Sequence, residues 1–362
     1  MPRVEPRDTV LVTGAAGFIG FHVAARLLRE RVPVLGIDNF DPAYDRETKE
    51  ANVCDLRAVA EDQDVPFEFD VQDIRNIEPG FAGGRLFGVV HLAAKTGVRQ
   101  SIGDAEAYAQ TNVVGTLRVL DLCRAQAIDR LLFASSSSVY GDDTPPPFGE
   151  DARADRPLSP YAASKRAGEL FCATYAHIHG MRAAALRFFT VYGPRQRPQL
   201  AIHEFTRRID RGEPVRLFGD GSSERGYTYI DDAVDGIWAA WRHVEAQPKG
   251  SFEVFNLGGL DTVSLKELVV AIEREMGRRA VIITEPEQPG DVHRTSADFH
   301  RAKAVLGYEP RVPFPEGLRR FVAWYWAAAR SIAPDRVWPT RAAPTAQAFP
   351  PGKAATKSGA DR

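Results

Sequence analysis

Cysteine is scarce in this sequence and unpaired. Three occur, Cys54, Cys123 and Cys172, scattered, odd in number and without a CxxC pair, which argues against a disulfide framework or a zinc knuckle. An excess of one charge is also missing: 46 Lys and Arg stand against 48 Asp and Glu. The two signs are interspersed, so no basic stripe offers itself to nucleic acid and no basic arm to a membrane surface. No apolar run approaches the roughly 20 residues of a membrane helix, and MPRVEPRDTV passes into a short apolar strand without a signal-peptide core. The expectation is a soluble, cytoplasmic protein with no membrane or nucleic-acid partner. Metal ligands are equally thin. His177 and His179 form an HxH pair, but on a helix residues two apart point away from each other, so a solvated helix end is expected and no metal site is assigned. Internal repeats are absent.

What is present is alternation. Short β-branched or apolar runs at Val10 to Thr13, Val34 to Asp38, Phe67 to Asp70, Gly88 to Leu92, Leu131 to Ser135 and Ala183 to Phe188 alternate with helical patterns at Phe18 to Arg29, Tyr108 to Ala125 and Tyr161 to His179. This is the pattern of an α/β fold, a Rossmann-type doubly wound parallel sheet. From Gly193 to Arg225 the pattern becomes irregular and rich in Gly, Pro and Arg. A helix after Tyr229, a strand Glu253 to Leu257 and a helix opened by Ser264 with Glu267 as its capping-box partner follow. The expected division is 7–190 plus 228–260 for the dinucleotide-binding domain and 191–227 plus 261–330 for a smaller C-terminal substrate-binding lobe. From about Ser331 the chain has few large apolar residues and too little to bury against its ordering entropy, so 331–362 is expected to be a disordered tail.

Three segments carry chemistry. LVTGAAGFIG places Gly14, Gly17 and Gly20 between a strand and a helix that begins with Phe18 and Ile19. Missing side chains there let the backbone turn, approach a pyrophosphate and aim a helix N-terminus at it. Asp38 ends the second strand, where a carboxylate can accept the adenosine ribose diol and would repel a ribose phosphate, which favours NAD over NADP. Asn39 follows it. Asp73 and Ile74, after the third strand, are expected to flank the adenine, and Leu92, Ala93 and Ala94 in HLAA let the cofactor lie close. In SPYAASKRAGEL, Tyr161 and Lys165 stand four apart, one helical turn, so a lysine cation can lower a phenol whose ordinary pKa is about 10. The serine run FASSSSVYG adds a hydroxyl that can share the substrate's oxygen. Alcohol-to-ketone redox chemistry is the reading.

These marks, with Asn112 in TNVVGT and YTYIDD at Tyr227 to Asp232, resemble the extended short-chain dehydrogenase/reductase family over about residues 8 to 330. The resemblance implies Tyr161 as catalytic base, Lys165 as its electrostatic partner and ribose ligand, Ser136 as the substrate-orienting hydroxyl and Asn112 in the same set. Sugar-nucleotide dehydratases of this family carry Asp and Glu at the positions of Ser137 and Ser138, and decarboxylases usually keep the Glu. Hydroxyls at both positions therefore imply an epimerase. RFFTVYGPRQRP, LFGDGSSERGYTYIDD and QPGDV are most similar to the NDP-sugar 4-epimerases that act on UDP-glucuronate. This implies Arg225 as a diphosphate clamp, Val215, Leu217 and Phe218 as a uracil slot, Asp291 near the nucleotide, and Thr190, Arg197 and Arg99 near the sugar and its carboxylate. Gly226, Gln199 and Lys95 depart from the pattern, which commonly has Asp, Asp and Gln there. The expected activity is 4-epimerisation of UDP-glucuronate to UDP-galacturonate through a transient 4-keto sugar, with NAD tightly bound and regenerated in a homodimer. A neutral UDP-hexose 4-epimerase, a UDP-uronate decarboxylase and, outside enzymes, an NAD-binding sensor are the alternatives.

Overall fold

The computed structural model describes residues 9–84, 86–286 and 293–332. The first half delivers the alternation in the sequence: β1 (Thr9–Thr13), α1 (Phe18–Arg29), β2 (Val34–Asp38), α2 (Arg46–Gln63), β3 (Phe67–Val71), β4 (Leu86–His91), the short helices α3 (Val98–Gly103) and α4 (Ala105–Tyr108), α5 (Gly115–Ala125), β5 (Arg130–Ser136), α6 (Pro160–His179) and β6 (Arg182–Phe188). With α8 and β10 below, it makes a seven-stranded sheet in the order β10-β6-β5-β4-β1-β2-β3. All of its pairings are parallel. Helices cover both faces, which is why β2 reads as five buried residues and β6 as six of seven. The chain reverses direction across the sheet between β1 and β4, and ligands in such sheets bind at that switch, beyond the carboxyl ends of the strands.

After the short strand β7 (Thr190–Tyr192), the chain forms α7 (Ala201–Arg211), β8 (Val215–Phe218) and β9 (Glu224–Tyr229), then returns to the main sheet through α8 (Ile230–Ala246) and β10 (Phe252–Leu257). It leaves again as β11 (Asp261–Ser264), α9 (Leu265–Met276), β12 (Ile282–Glu285), β13 (Arg294–Thr295), α10 (His300–Leu306) and α11 (Phe314–Ile332). β11, β9 and β13 form a second sheet joined by β7 on β9, and β12 pairs with β8. One apolar core runs through both parts, from Val10 and Leu28 through Ile237 to Ile209, Leu268 and Phe321.

Several expectations needed correction. The stretch 193–225 is not irregular throughout: α7 buries Ile202, Phe205 and Ile209 at helical spacing, and β8 follows. The helix expected at Tyr108 to Ala125 begins earlier, at Ala105, and is interrupted by a π stretch over Ala109–Val114 that contains Asn112. The sequence reading also passed over α2, which has eight charged residues among its 18 and buries little beyond Lys49, Asn52, Val53, Leu56 and Ala60. The capping box at Ser264 and Glu267 is present, each side chain bonding the other's backbone N–H. α11 runs to Ile332, and the remainder of the expected tail lies outside the described residues. No helix among them is long and apolar enough to cross a membrane.

Candidate active site

The glycine turn lies between β1 and α1 at the sheet's switch point. Gly14 has a φ of 73°, and a methyl group on it would lie 3.0 Å from the Ala93 backbone; one on Gly20 would lie 2.0 Å from the Gly14 carbonyl. Glycine is therefore required at both by close backbone approach. Helix α1 has Gly17 at its N-cap, with no side-chain cap and no acidic residue in its first turn, which leaves its N-terminal N–H groups and its dipole open to an anion. Asp38 stands beside the turn and accepts from the backbone of Ala16 and, at 2.8 Å, of Phe40. Burial raises its pKa against the opposing pull of the Lys49 cation, 3.9 Å away. The donors and acceptors present thus fit a dinucleotide: an uncapped helix end for the phosphates and a carboxylate for a ribose diol.

Around this turn the other expected residues fall as follows. Asn39 is exposed and donates to Asp73 at 2.9 Å. Asp73 also accepts from Arg75, which with the Asn39 bond brings its pKa down to about 2. Ile74 spends its side chain on the core: a methyl on Gly115 would come within 2.6 Å of it. Leu92 and Ala93 both donate backbone N–H groups to the Thr13 hydroxyl, at 3.1 and 3.0 Å, which pins the end of β4 beside the turn. Ala94 continues that segment.

A chain of buried hydrogen bonds runs from here to helix α6. Thr13 Oγ1 lies 2.7 Å from His91 Nδ1, His91 Nε2 lies 3.0 Å from Thr116 Oγ1, and Thr116 donates to the Asn112 carbonyl at 2.6 Å. Since the Thr116 proton is committed to Asn112, the His91 proton belongs on Nε2 and Nδ1 accepts from Thr13. Burial drives the His91 pKa down to about 3, so the ring stays neutral. Asn112, in the π stretch, accepts from the Lys95 N–H at 2.8 Å and donates to the Lys95 carbonyl and the Ser164 hydroxyl at 2.9 Å each. Ser164 donates to the Tyr161 carbonyl. Asn112 thereby ties the loop after β4 to the helix that carries Tyr161 and Lys165. π stretches of this kind are frequent at functional sites.

Ser159 caps α6 by accepting from the Ala162 N–H, with Pro160 in the first turn. Ser136, the last residue of β5, hydrogen-bonds the Tyr161 phenol and its Oγ lies 3.2 Å from that of Ser138. Ser137 and Ser138 lie half-buried beside it. Lys165 is buried and its Nζ donates to the Ala134 carbonyl at 2.8 Å; burial brings its pKa down to about 8. Lys165 is expected to be the cation acting on Tyr161, but its ammonium is not among the groups that lower the phenol here. Burial raises the phenol's pKa, and the groups that lower it are Ser136 and Arg197. Arg197 itself is half-buried, bonds the Thr96 hydroxyl and faces Tyr161, Tyr44 and Tyr108, with burial lowering its own pKa.

The expected nucleotide-sugar residues lie on the smaller part. Thr190 opens β7. On β8, Val215 and Leu217 are buried and Phe218 half-buried. The exposed Arg99, on α3, lays its guanidinium 4.4 Å from the centre of the Phe218 ring. Arg225 on β9 donates to the carbonyls of Glu224 and His293. Gly226 lets β13 lie close, since a methyl there would stand 3.2 Å from the Thr295 carbonyl, which gives the first departure a packing reason. Asp291 lies outside the described residues. His177 and His179 are exposed at the end of α6, and no cluster of metal-ligating side chains occurs among the described residues.

Sequence reasoning missed Tyr44 and Tyr108. The Tyr108 ring packs edge-on to Tyr161, with centroids 6.2 Å apart, and its hydroxyl donates to the Thr96 carbonyl at 2.8 Å. The Tyr44 hydroxyl is buried without a hydrogen-bond partner among the described residues and would lie 3.9 Å from a methyl on Gly17. Neither tyrosine belongs to a motif, so only their meeting in space marks them.

The model of the NAD dependent epimerase/dehydratase family matches residues 10–258. The chain is 38% identical over 316 residues to the UDP-glucuronate 4-epimerase of Thermodesulfobacterium geofontis, across 87% of this chain and 95% of that protein. Its structure resembles that of the UDP-glucuronic acid 4-epimerase of Bacillus cereus in complex with UDP-glucuronic acid and NAD, with a TM-score of 0.82 and 34% identity over 88% of this chain and 99% of that one. The UDP-glucose 4-epimerase of Thermotoga maritima with UDP-glucose gives 0.78 and 30%, over 89% and 99%. By the extent of the family match and the closeness of these relatives, the chain belongs to the NAD dependent epimerase/dehydratase family.

Proposed function

We propose that the protein is an NAD-dependent nucleotide-sugar 4-epimerase that interconverts UDP-glucuronate and UDP-galacturonate. The observation that carries this reading is the placement of Tyr161, Ser136 and Arg197 together beside hydroxyls, not carboxylates, at Ser137 and Ser138. Gly14, Gly17, Phe18, Ile19, Gly20, Asp38, Asn39, Asp73, Ile74, Leu92, Ala93, Ala94, Tyr161 and Lys165 would hold NAD. Bound there, NAD would supply reversible hydride-transfer chemistry at the sugar's C4.

The chain's own groups do the rest. Tyr161, as phenolate, removes the proton of the 4-hydroxyl while Ser136 shares that oxygen; the proton returns when the 4-keto sugar is reduced. Arg225 and the slot of Val215, Leu217 and Phe218 keep the nucleotide in place while the sugar turns over. The 4-keto form of a uronate is a β-keto acid, which loses carbon dioxide when its carboxylate bond aligns with the carbonyl π system. Ser137, Ser138, Thr190 and Arg197 hold that carboxylate out of alignment. The residues 7–190 with 228–260 make the cofactor part and 191–227 with 261–330 the sugar part, in a cytoplasmic homodimer. Incubation with UDP-glucuronate, and in parallel with UDP-glucose and UDP-galactose, followed by chromatography, tests the proposal: UDP-galacturonate is expected from the first. Turnover of the neutral sugars alone would move the assignment to a hexose epimerase, and release of carbon dioxide with a UDP-pentose to a decarboxylase.

A further inference from the structure

Two of the positions at which the chain departs from the pattern it resembles converge on one loop. Residues 39–45 leave β2 and enter α2. The loop is internally braced: Asp41 N–H donates to Asn39 Oδ1, Ala43 N–H to Asp41 Oδ1, and the buried Lys49 ammonium to the Asp41 carbonyl at 2.8 Å. It delivers the Tyr44 hydroxyl, without a hydrogen-bond partner among the described residues, to the glycine turn. From outside, Lys95 Nζ stands 3.6 Å from Asp41 Oδ2, and the Gln199 side-chain amide donates to the Ala43 carbonyl. An Asp side chain at 199 has no N–H and could not make the second bond; a Gln at 95 brings no charge to the first. Both departures thus supply donors to the same loop.

The two donors are firmly based. The Lys95 backbone is gripped on both sides by Asn112, and through it by α6. The segment that carries Gln199 is fixed by Arg195, which bonds Asn52 and Asp55 on α2, and by Arg197, which bonds Thr96. Segments 39–45, 95–97 and 194–199 are thereby joined around the glycine turn.

We propose that Lys95 and Gln199 form a clasp that holds loop 39–45 over the bound dinucleotide, and that opening of this clasp sets the rate at which NAD leaves the protein. The inference rests on the reading that Gly14, Gly17, Gly20 and Asp38 hold NAD. An epimerase needs such retention, because its cofactor must stay through both hydride transfers of every cycle.

The test is to load the full-length protein with labelled NAD, chase with excess unlabelled NAD and follow loss of label. Lys95→Gln and Gln199→Asp should each release NAD about two- to fivefold faster, the scale of one partly exposed ion pair or one neutral hydrogen bond, and the double variant about tenfold faster if they act independently. Lys95→Arg should stay within about twofold of the parent, because the charge is kept. Raising salt from about 50 mM to about 0.5 M should speed release from the parent more than from Lys95→Gln, since the variant lacks the ion pair that salt screens. Equal release from all variants at both salt concentrations overturns the clasp. A parent protein that neither carries nor binds NAD overturns the cofactor reading itself, and the clasp with it.

Discussion

Burial holds the Tyr161 phenol above its ordinary range, and the groups that pull it back are the Ser136 hydroxyl and the Arg197 guanidinium. Lys165 meanwhile donates a hydrogen bond to the Ala134 carbonyl. In the proposed role of base, Tyr161 would be helped by a further cation beside it, and an oxidised nicotinamide carries one. Tyr161→Phe removes the proton acceptor alone: bound NAD should be retained and turnover of UDP-glucuronate should fall about 100-fold or more. More than about a tenth of the parent rate would take the role of base away from Tyr161. Arg197 gives the sharper test, because it separates a uronate enzyme from its neutral-sugar relatives. Arg197→Ala should slow epimerisation and let part of the β-keto acid lose carbon dioxide, leaving a 4-keto pentose and reduced cofactor. Carbon dioxide, absorbance of the reduced cofactor and sugar products, followed together, check it. Unaltered epimerisation without decarboxylation would return Arg197 to a purely structural contact with Thr96.

Helix α6 is positioned by a pair that the chemistry does not use. One turn beyond Lys165, the fully buried Glu169 accepts from Arg187 on β6 through two bonds of 2.8 Å, and from Ser135, next to Ser136 on β5, at 2.5 Å. Burial alone would raise the Glu169 pKa, but the bonds from Arg187, Ser135 and Arg166 outweigh it and the net shift is downward. A depressed carboxylate stabilises the fold fully above its unfolded pKa of about 4.3 and loses that contribution as pH falls through the lower folded value. Glu169→Gln should cost about 3 to 5 kcal/mol at neutral pH, since it strands the Arg187 charge. Its unfolding midpoint in urea should also fall less than the parent's between about pH 6 and pH 3. Parallel pH profiles would exclude the pair as the source. The lock also marks a boundary of legibility. Strands, the glycine turn and the Tyr161 helix each announce themselves in local spacing, and so does the Ser264 capping box. Glu169 and Arg187 are 18 residues apart on different elements, Tyr44 and Tyr108 belong to no motif, and α2 hides its narrow apolar face among charges. These depend on contacts between distant segments, which periodicity does not record. α7 is a different case, since Ile202, Phe205 and Ile209 carried a readable helical spacing.

At the scale of the whole molecule, one face of α6 is left uncovered by the described residues. Leu170 and Ile178 on α6 are 53% and 64% exposed, and their spacing of eight residues places them on one side of the helix, with the exposed Thr174 between them. On the adjoining side Tyr175 donates to Asp121 on α5 at 3.0 Å, so α5 and α6 present a joint surface. Single exposed apolar residues need no explanation, but a row of them beside a paired helix suits a second copy of the same surface, because a two-fold dimer is self-complementary. Such a dimer would bury the outer face of α6 in both copies. Replacing Leu170 and Ile178 together by Glu puts charge into that interface while leaving the monomer's core untouched, because neither side chain contributes to it. The parent should sediment as a dimer and the double variant as a folded monomer with an unchanged far-ultraviolet spectrum. A parent that sediments as a monomer at micromolar concentration would return this face to solvent and place the function in a single chain.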